Sequence, residues 1–249
     1  MKNKIKLFVT GSLLAVSFFS FYRVSSFCLK VNKANNIKHI TNDQMLVDAA
    51  TDDERLFTME SWRSLKTINN DFKAFIQFPD RWIEEPIVQG TDNSFYLTHD
   101  LNKNWSEFGS VYLDAKASDS DRNITIYGHN VFMGGDLMFT PLSRLVDQNE
   151  YEQHHSFKIY WENECREYEI THVYYWDEVN DRNFDYKQTD FSGSAEFNEY
   201  KSWIDRHNLI TSEVTLNDDS SFVSLQTCKD LSSTIRIIVT AKEMKRCAY

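Results

Sequence analysis

Hydrophobic and polar positions divide this chain into three textures. First comes an uncharged run over residues 7–22 (LFVTGSLLAVSFFSFY), preceded by Lys2, Lys4 and Lys6 and closed by Arg23. A mixed polar stretch over 26–40 reads as a stalk. After it, Thr41-Asn42-Asp43 offers a helix cap, and Met45, Leu46, Ala49, Ala50, Leu56, Met59, Trp62, Leu65 and Ile68 recur at helical spacing. That spacing predicts one or two amphipathic helices over 42–68. Phe72, Phe75 and Ile76 share one helical face and predict a further short helix over 70–76. Beyond Trp82 the runs become short and rich in β-branched and aromatic residues. They predict strands over 85–89, 110–113, 123–127, 156–161, 168–176, 221–227 and 234–242, interrupted by helices over 139–146 and 195–207. Many short strands with few inserted helices describe a mainly β fold, a largely antiparallel barrel or sandwich.

The N-terminal run carries an address. Its sixteen uncharged residues fall just short of the ~17–25 of a spanning helix. With Ile5 included and Lys6 and Arg23 snorkelling, it spans. The rival reading is a cleaved signal, for which Val24-Ser25-Ser26 is a tolerable small-residue site. An anchor is the favoured reading, and under either one the bulk of the chain is exported.

Composition narrows the classes. The chain has 249 residues, 41% of them hydrophobic and 26% charged, which is globular rather than disordered. A formal charge of −10 excludes an ordinary nucleic-acid binder, because phosphate binding needs clustered Lys and Arg. The four cysteines, Cys28, Cys165, Cys228 and Cys247, are widely spaced without a CxxC pair, so no zinc knuckle or dense disulfide framework is indicated. Cys165 falls at an expected hairpin turn, and a disulfide among the four stays open. His154-His155 lacks further ligands at metal spacing, so no metal site is expected.

Candidate chemistry gathers at three positions. Alternation puts Val223, Leu225 and Thr227 on one strand face, and the strand ends at Cys228. Eight residues on, Arg236 stands in Thr234-Ile235-Arg236-Ile237-Ile238-Val239. A hairpin through 229–233 returns it beside Cys228, where a permanent cation stabilises a thiolate or a developing oxyanion. His129, in Tyr127-Gly128-His129-Asn130, lies just past another strand and supplies a candidate acid or base.

These residues resemble the signature of a sortase, and among sortases that of class B: a strand ending Thr227-Cys228, Arg236 on the next strand, and His129 after an upstream strand. The resemblance covers about residues 68–245. Ile68 to Ile76 resembles the family's N-terminal helix leading into the barrel. Glu85-Pro86-Ile87-Val88-Gln89 with Asp92-Asn93-Ser94-Phe95-Tyr96-Leu97 is similar to the class B "YPVVQ…DNxxYL" segment, and Gly109-Ser110-Val111-Tyr112-Leu113-Asp114 to its "GSIFMD" strand. Departures stand at Ala115-Lys116-Ala117, Lys187, Gln226 and Lys229, and they bear on peptide preference rather than on the chemistry.

The resemblance implies a closed β-barrel preceded by N-terminal helices, with an anchor or signal over 1–25, a stalk and helical region over 26–67, and a catalytic domain over 68–249. It implies a Gram-positive surface enzyme, tethered to the cell membrane by one N-terminal helix with the catalytic domain outside. Cys228 would be the nucleophile, His129 the general acid and base, and Arg236 the oxyanion donor; Asn93, Leu97 and Thr227 would line the peptide groove. Its partners would be secreted proteins with a C-terminal sorting signal and an amine of peptidoglycan or its lipid-linked precursor, with no cofactor. A hydrolytic cysteine protease and a non-catalytic tethered scaffold are the alternatives.

Overall fold

Strand order is what brings the candidate residues together. The computed structural model describes residues 2–45, 47–48, 55–131, 133–230 and 233–247. Eight strands close a barrel: β1 (Phe72–Gln77), β2 (Glu84–Val88), β3 (Val111–Leu113), β4 (Asn123–Tyr127), β5 (Ser156–Tyr160), β6 (Cys165–Asp177), β7 (Phe222–Cys228) and β8 (Ile235–Cys247). Around the barrel they run β8-β6-β5-β1-β2-β3-β4-β7, and β7 pairs back onto β8. All pairs are antiparallel except β2 with β3 and β4 with β7. Closure leaves no free sheet edge.

Alternation explains the two sides of the wall. Ile76, Ile87, Ile126, Ile159, Val173, Leu225 and Val239 fill the barrel interior and are fully buried. On the outer face, Tyr174, Phe222 and Ile238 pack under helix α4 (Ser194–His207) through Phe197, Tyr200 and Ile204. Helix α2 (Met59–Ile68) closes another outer patch by setting Trp62 and Leu65 against Phe72, Phe75 and Tyr160. It starts where Thr58 and Ser61 exchange side-chain-to-backbone hydrogen bonds.

Several expectations are corrected here. Residues 70–76 do not form a helix; Phe72–Gln77 is a barrel strand. A register shift between Phe72 and Ala74 adds one residue on the β1 side of its pairing with β2. That extra residue turns Phe72 and Phe75 to the same outer face, and so imitates a helical i, i+3 spacing. The polar 26–40 stretch is not a stalk either. Helix α1 runs unbroken over Lys2–Met45, and its second half lies on the barrel. Of the helices expected over 42–68, Met59–Ile68 is helical as expected and residues 46 and 49–54 lie outside the described residues, but Val47–Asp48 and Arg55–Leu56 are not helical: they pair as a short antiparallel two-stranded sheet.

The seven expected strands all form, each within a few residues of its predicted bounds. The expected helix over 139–146 is a 3-10 segment, Thr140–Val146. A short helix not foreseen, α3 (Gln148–His154), follows it under an Asp147 cap. Cys165 opens β6 rather than sitting in a turn; it is disulfide-bonded and stands opposite Cys247 in the β6–β8 register. Within α1, Thr10–Asn36 is long and apolar enough to cross a membrane, a test that a signal sequence also passes. Its Leu13, Leu14, Phe18, Phe19 and Phe21 side chains are exposed.

The barrel interior sets the stability of everything at its rim. Leu225→Ala should lower the unfolding free energy by roughly 2–5 kcal/mol, because a fully buried side chain leaves a cavity the wall only partly fills. Denaturant titration checks this as a lower midpoint at unchanged slope.

Candidate active site

β7 is the central strand of the site. It pairs in parallel with β4 on one side and antiparallel with β8 on the other. The C-terminal ends of β4 and β7 and the start of β8 therefore meet at one rim. Tyr127 pairs with Gln226, so the residues just beyond β4 run alongside the end of β7. His129, Cys228 and Arg236 come from these three neighbouring ends.

Cys228 and Arg236 are direct cross-strand partners. The Lys229 amide donates to the Ile235 carbonyl at 3.1 Å, so the next pair is hydrogen-bonded and Cys228/Arg236 is not. Pairs of that kind are the closer ones, with Cα atoms about 4.5 Å apart and side chains on one face. Val223, Leu225, Ile237 and Val239 belong to the interior, so Cys228 and Arg236 point outward. The thiol is free and partly exposed.

Arg236 is already held. One terminal nitrogen donates to Glu178 Oε2 at 2.7 Å and the other to the Ser233 carbonyl at 3.0 Å. Glu178 lies just past the end of β6, the strand that β8 pairs with, and no sequence pattern marked it. Lys229 lies over the Tyr175 ring, 4.4 Å from its centroid. A second cation therefore stands on the residue after the thiol.

His129 faces the other wall. Its Nε2 lies 3.0 Å from the Leu97 carbonyl, and since a carbonyl only accepts, Nε2–H donates. Among the described residues His129 makes no hydrogen bond to Cys228. The adjacent Asn130 does reach that strand: its side-chain amide donates to the Cys228 carbonyl at 2.9 Å. Asn130 thus ties the histidine segment to the thiol-bearing residue, a link that sequence reasoning missed although the residue adjoins His129.

The expected groove residues fall differently. Leu97 is exposed and supplies the carbonyl that His129 holds. Gly109, at φ +60°, makes this possible: an added Cβ would lie 2.4 Å from the Tyr96 carbonyl oxygen and 2.6 Å from that of Leu97. Asn93 is exposed and fastens a turn, donating to Asp114 Oδ2 at 2.8 Å and accepting from the Ala115 amide at 2.7 Å. Thr227 requires a correction. Its side chain is fully buried and faces the interior, because it alternates with the outward Cys228. Only its backbone reaches the rim.

Tyrosines, unmarked in the sequence, build the remaining wall. Tyr112 and Tyr127 pack together with ring centroids 5.1 Å apart. The Tyr127 hydroxyl donates to Asp114 at 2.7 Å, and the Tyr186 hydroxyl donates to Gln226 Oε1 at 2.5 Å. Burial pushes the Tyr112 hydroxyl well above the ordinary tyrosine value, and the charges of Asp114 and Cys228 push it the same way. Burial likewise raises Tyr127 and Tyr186, so all three remain protonated donors at neutral pH. Burial also works to raise Asp114, but hydrogen bonds from Tyr127, the Lys116 amide and Asn93 outweigh it and hold the carboxyl below its ordinary 3.8. Among the described residues no cluster of His, Cys, Asp and Glu is arranged to hold a metal ion.

A closed barrel with a free thiol opposite a guanidinium at its rim is the framework of a cysteine transpeptidase. Comparison with known proteins points the same way. Sortase B of Listeria monocytogenes is 29% identical over 234 residues, spanning 90% of this chain and 92% of that protein. The X-ray structure of Clostridium perfringens sortase B matches with a TM-score of 0.67 at 31% identity, covering 74% of this chain and 100% of that one. A Staphylococcus aureus sortase B–substrate complex matches with a TM-score of 0.68 at 26% identity, covering 75% and 86%. No protein-family model matches the chain. The chain belongs to the class B sortases and is a sortase cysteine transpeptidase.

Asp114 gives the wall a pH signature. Asp114→Ala removes the acceptor of Tyr127 and Asn93 and should cost roughly 1–3 kcal/mol at neutral pH. Because the folded carboxyl lies below its unfolded value, that contribution is complete above 3.8 and is lost as pH falls through the lower folded value. Thermal melts of variant and wild type should therefore converge at the acid end.

Proposed function

We propose that this sortase cleaves a sorting-signal pentapeptide of secreted proteins after its Thr and transfers the acyl group to an amine of peptidoglycan or its lipid-linked precursor. The observation that carries the reading is the outward Cys228/Arg236 cross-strand pair, with His129 on the neighbouring strand end. Cys228 thiolate attacks the Thr carbonyl, and the carbonyl electrons move onto oxygen. Arg236 donates to that oxyanion, and Glu178 holds the guanidinium while it does so. As the tetrahedral intermediate collapses, the C–N bond breaks and His129 gives a proton to the leaving amine, which leaves a thioester. The acceptor amine then attacks, His129 takes its proton, and the thiolate is expelled.

His129 rests on the Leu97 carbonyl. Catalysis therefore needs the ring to leave that contact when the peptide enters beside Leu97. Asn93 acts by shaping the turn at Asp114 and Thr227 by its backbone, while Tyr112 provides a hydroxyl to the peptide. Lys187 and Lys229 add positive charge to the groove, so its preferred motif differs from that of relatives with an apolar or acidic residue at those places.

Residues 1–25 serve as the membrane anchor, 26–67 as the connecting helical region and 68–249 as the catalytic domain. This places the thiol on the outer membrane face, where secreted proteins and wall precursors meet. The reading needs a Gram-positive cell wall as its acceptor.

Screening candidate sorting peptides by intact-protein mass spectrometry should yield a thioester adduct on wild type and none on Cys228→Ala. Arg236→Ala should lower kcat/KM by about 10²–10³-fold, the usual effect of losing one oxyanion donor. Adding an amine acceptor should divert product from acid to amide. Hydrolysis alone, even with the wall amine supplied, would make the enzyme a protease instead.

A further inference from the structure

The exported half of α1 is built into the barrel through one stripe. Phe27, Val31, Asn35, Lys38 and Asn42 recur every three or four residues and so share a helix face. Val31 is buried among Phe108, Val131 and Leu137, with Phe27, Ala34 and Met138 packed against them. The Asn35 amide donates to the Gly134 carbonyl at 3.2 Å, and the Asn42 amide to the Glu84 carbonyl at 3.0 Å.

Lys38 is the centre of the stripe. Its Nζ lies 3.0 Å from Glu85 Oε1, and their side chains are only 8% and 5% exposed. The same Glu85 oxygen accepts the Met138 amide at 2.8 Å, and Lys38 also donates to the Asp136 carbonyl. Burial pushes the Glu85 carboxyl upward and Lys38 works against it, so the pair depends on the lysine to stay charged.

The contacts to Val131, Gly134, Asp136, Leu137 and Met138 fall on the segment that follows His129, and Glu85 ties Lys38 to it through the Met138 amide. Asn130 and Met138 form an isolated bridge, and the Phe139 amide donates to the His129 carbonyl at 3.1 Å. Between them the backbone takes left-handed values at Met133 (φ 55°), Gly135 (φ 62°) and Met138 (φ 51°). Non-glycine residues hold such angles only when their surroundings impose them. Here α1 and Glu85 are the surroundings.

We infer that Lys38 is a positioning residue for His129: paired with Glu85, it clamps the 130–139 loop and so sets where the imidazole stands relative to Cys228. The inference rests on the catalytic reading of His129. It makes the helix leading out of the membrane segment part of the site's scaffold.

The test uses the full-length protein in detergent, comparing wild type, Lys38→Met, Lys38→Arg and His129→Ala. Amide hydrogen exchange is read at Met138 and Phe139, and alkylation of Cys228 by iodoacetamide is followed against pH by peptide mass spectrometry. Lys38→Met should speed exchange at both amides by about tenfold or more and move the alkylation profile toward that of His129→Ala, since small displacements of a catalytic group carry effects of up to about 10²-fold. Lys38→Arg should restore both.

Unchanged exchange and profile in Lys38→Met would overturn the inference. So would faster exchange spread equally over β5 and β6, which marks general loosening. If Lys38→Met does not fold, Asn35→Ala takes its place. It removes only the bond to Gly134 and should move both readouts less and in the same direction; no movement overturns the clamp. An alkylation profile indifferent to His129→Ala counts against the catalytic reading, while the exchange data decide the clamp separately.

Discussion

The placement of β7 between a parallel and an antiparallel neighbour is the constraint on which the site depends. Parallel pairing with β4 brings two strand ends to one rim, and antiparallel pairing with β8 returns the chain to the same rim. Three chemically different side chains, two of them eight residues apart and the third about a hundred residues upstream, thereby stand on adjacent strand ends. A slip of one residue between β7 and β8 would place Arg236 beside the buried Thr227 position, on the wrong face. The interior residues Leu225 and Val239, opposite one another in that register, guard against the slip because it would expose them.

Electrostatics at the rim follow from what surrounds the pair. Arg236 stands across from Cys228 and is balanced from the outside by Glu178, while the Lys229 ammonium lies over the Tyr175 ring. Tyr112, Tyr127 and Tyr186 are buried deeply enough to stay neutral, so they act as donors without adding charge. Asp114 is the one carboxylate in that wall shown to be held ionised by its own hydrogen bonds, and it fixes Asn93 and Tyr127 around it. The wall is thus held by its own hydrogen bonds, with the Tyr127 and Tyr186 hydroxyl protons given to Asp114 and Gln226.

The long N-terminal helix and the histidine loop form the second linked unit. A nearly buried Lys38–Glu85 pair joins a helix that continues into an apolar segment to a loop with three left-handed residues. Breaking such a pair from one side leaves a charge in low dielectric. Helix and loop are therefore coupled in their positions, and with them the orientation of the rim relative to the N-terminal segment.

Much of the rim was legible in the chain itself. Alternation through 221–227 and 234–242 assigned faces correctly, and eight residues from Cys228 to Arg236 fit the hairpin that pairs them. The same alternation already placed Thr227 inward with Val223 and Leu225, which the family motif alone would hide. Position 226 sits on the outer face by the same rule and meets Tyr186 there. By itself, then, the sequence determined seven of the eight barrel strands, the faces of the two at the rim, the cysteine–arginine pair and an apolar N-terminal helix, because periods of two and 3.6 residues are local properties. Only tertiary structure decided that Phe72–Gln77 is a strand, that residues 26–40 dock instead of dangling, that Glu178 holds Arg236, and that His129 rests on Leu97. Each of these depends on a partner distant in sequence, and that partner is chosen only when the barrel closes.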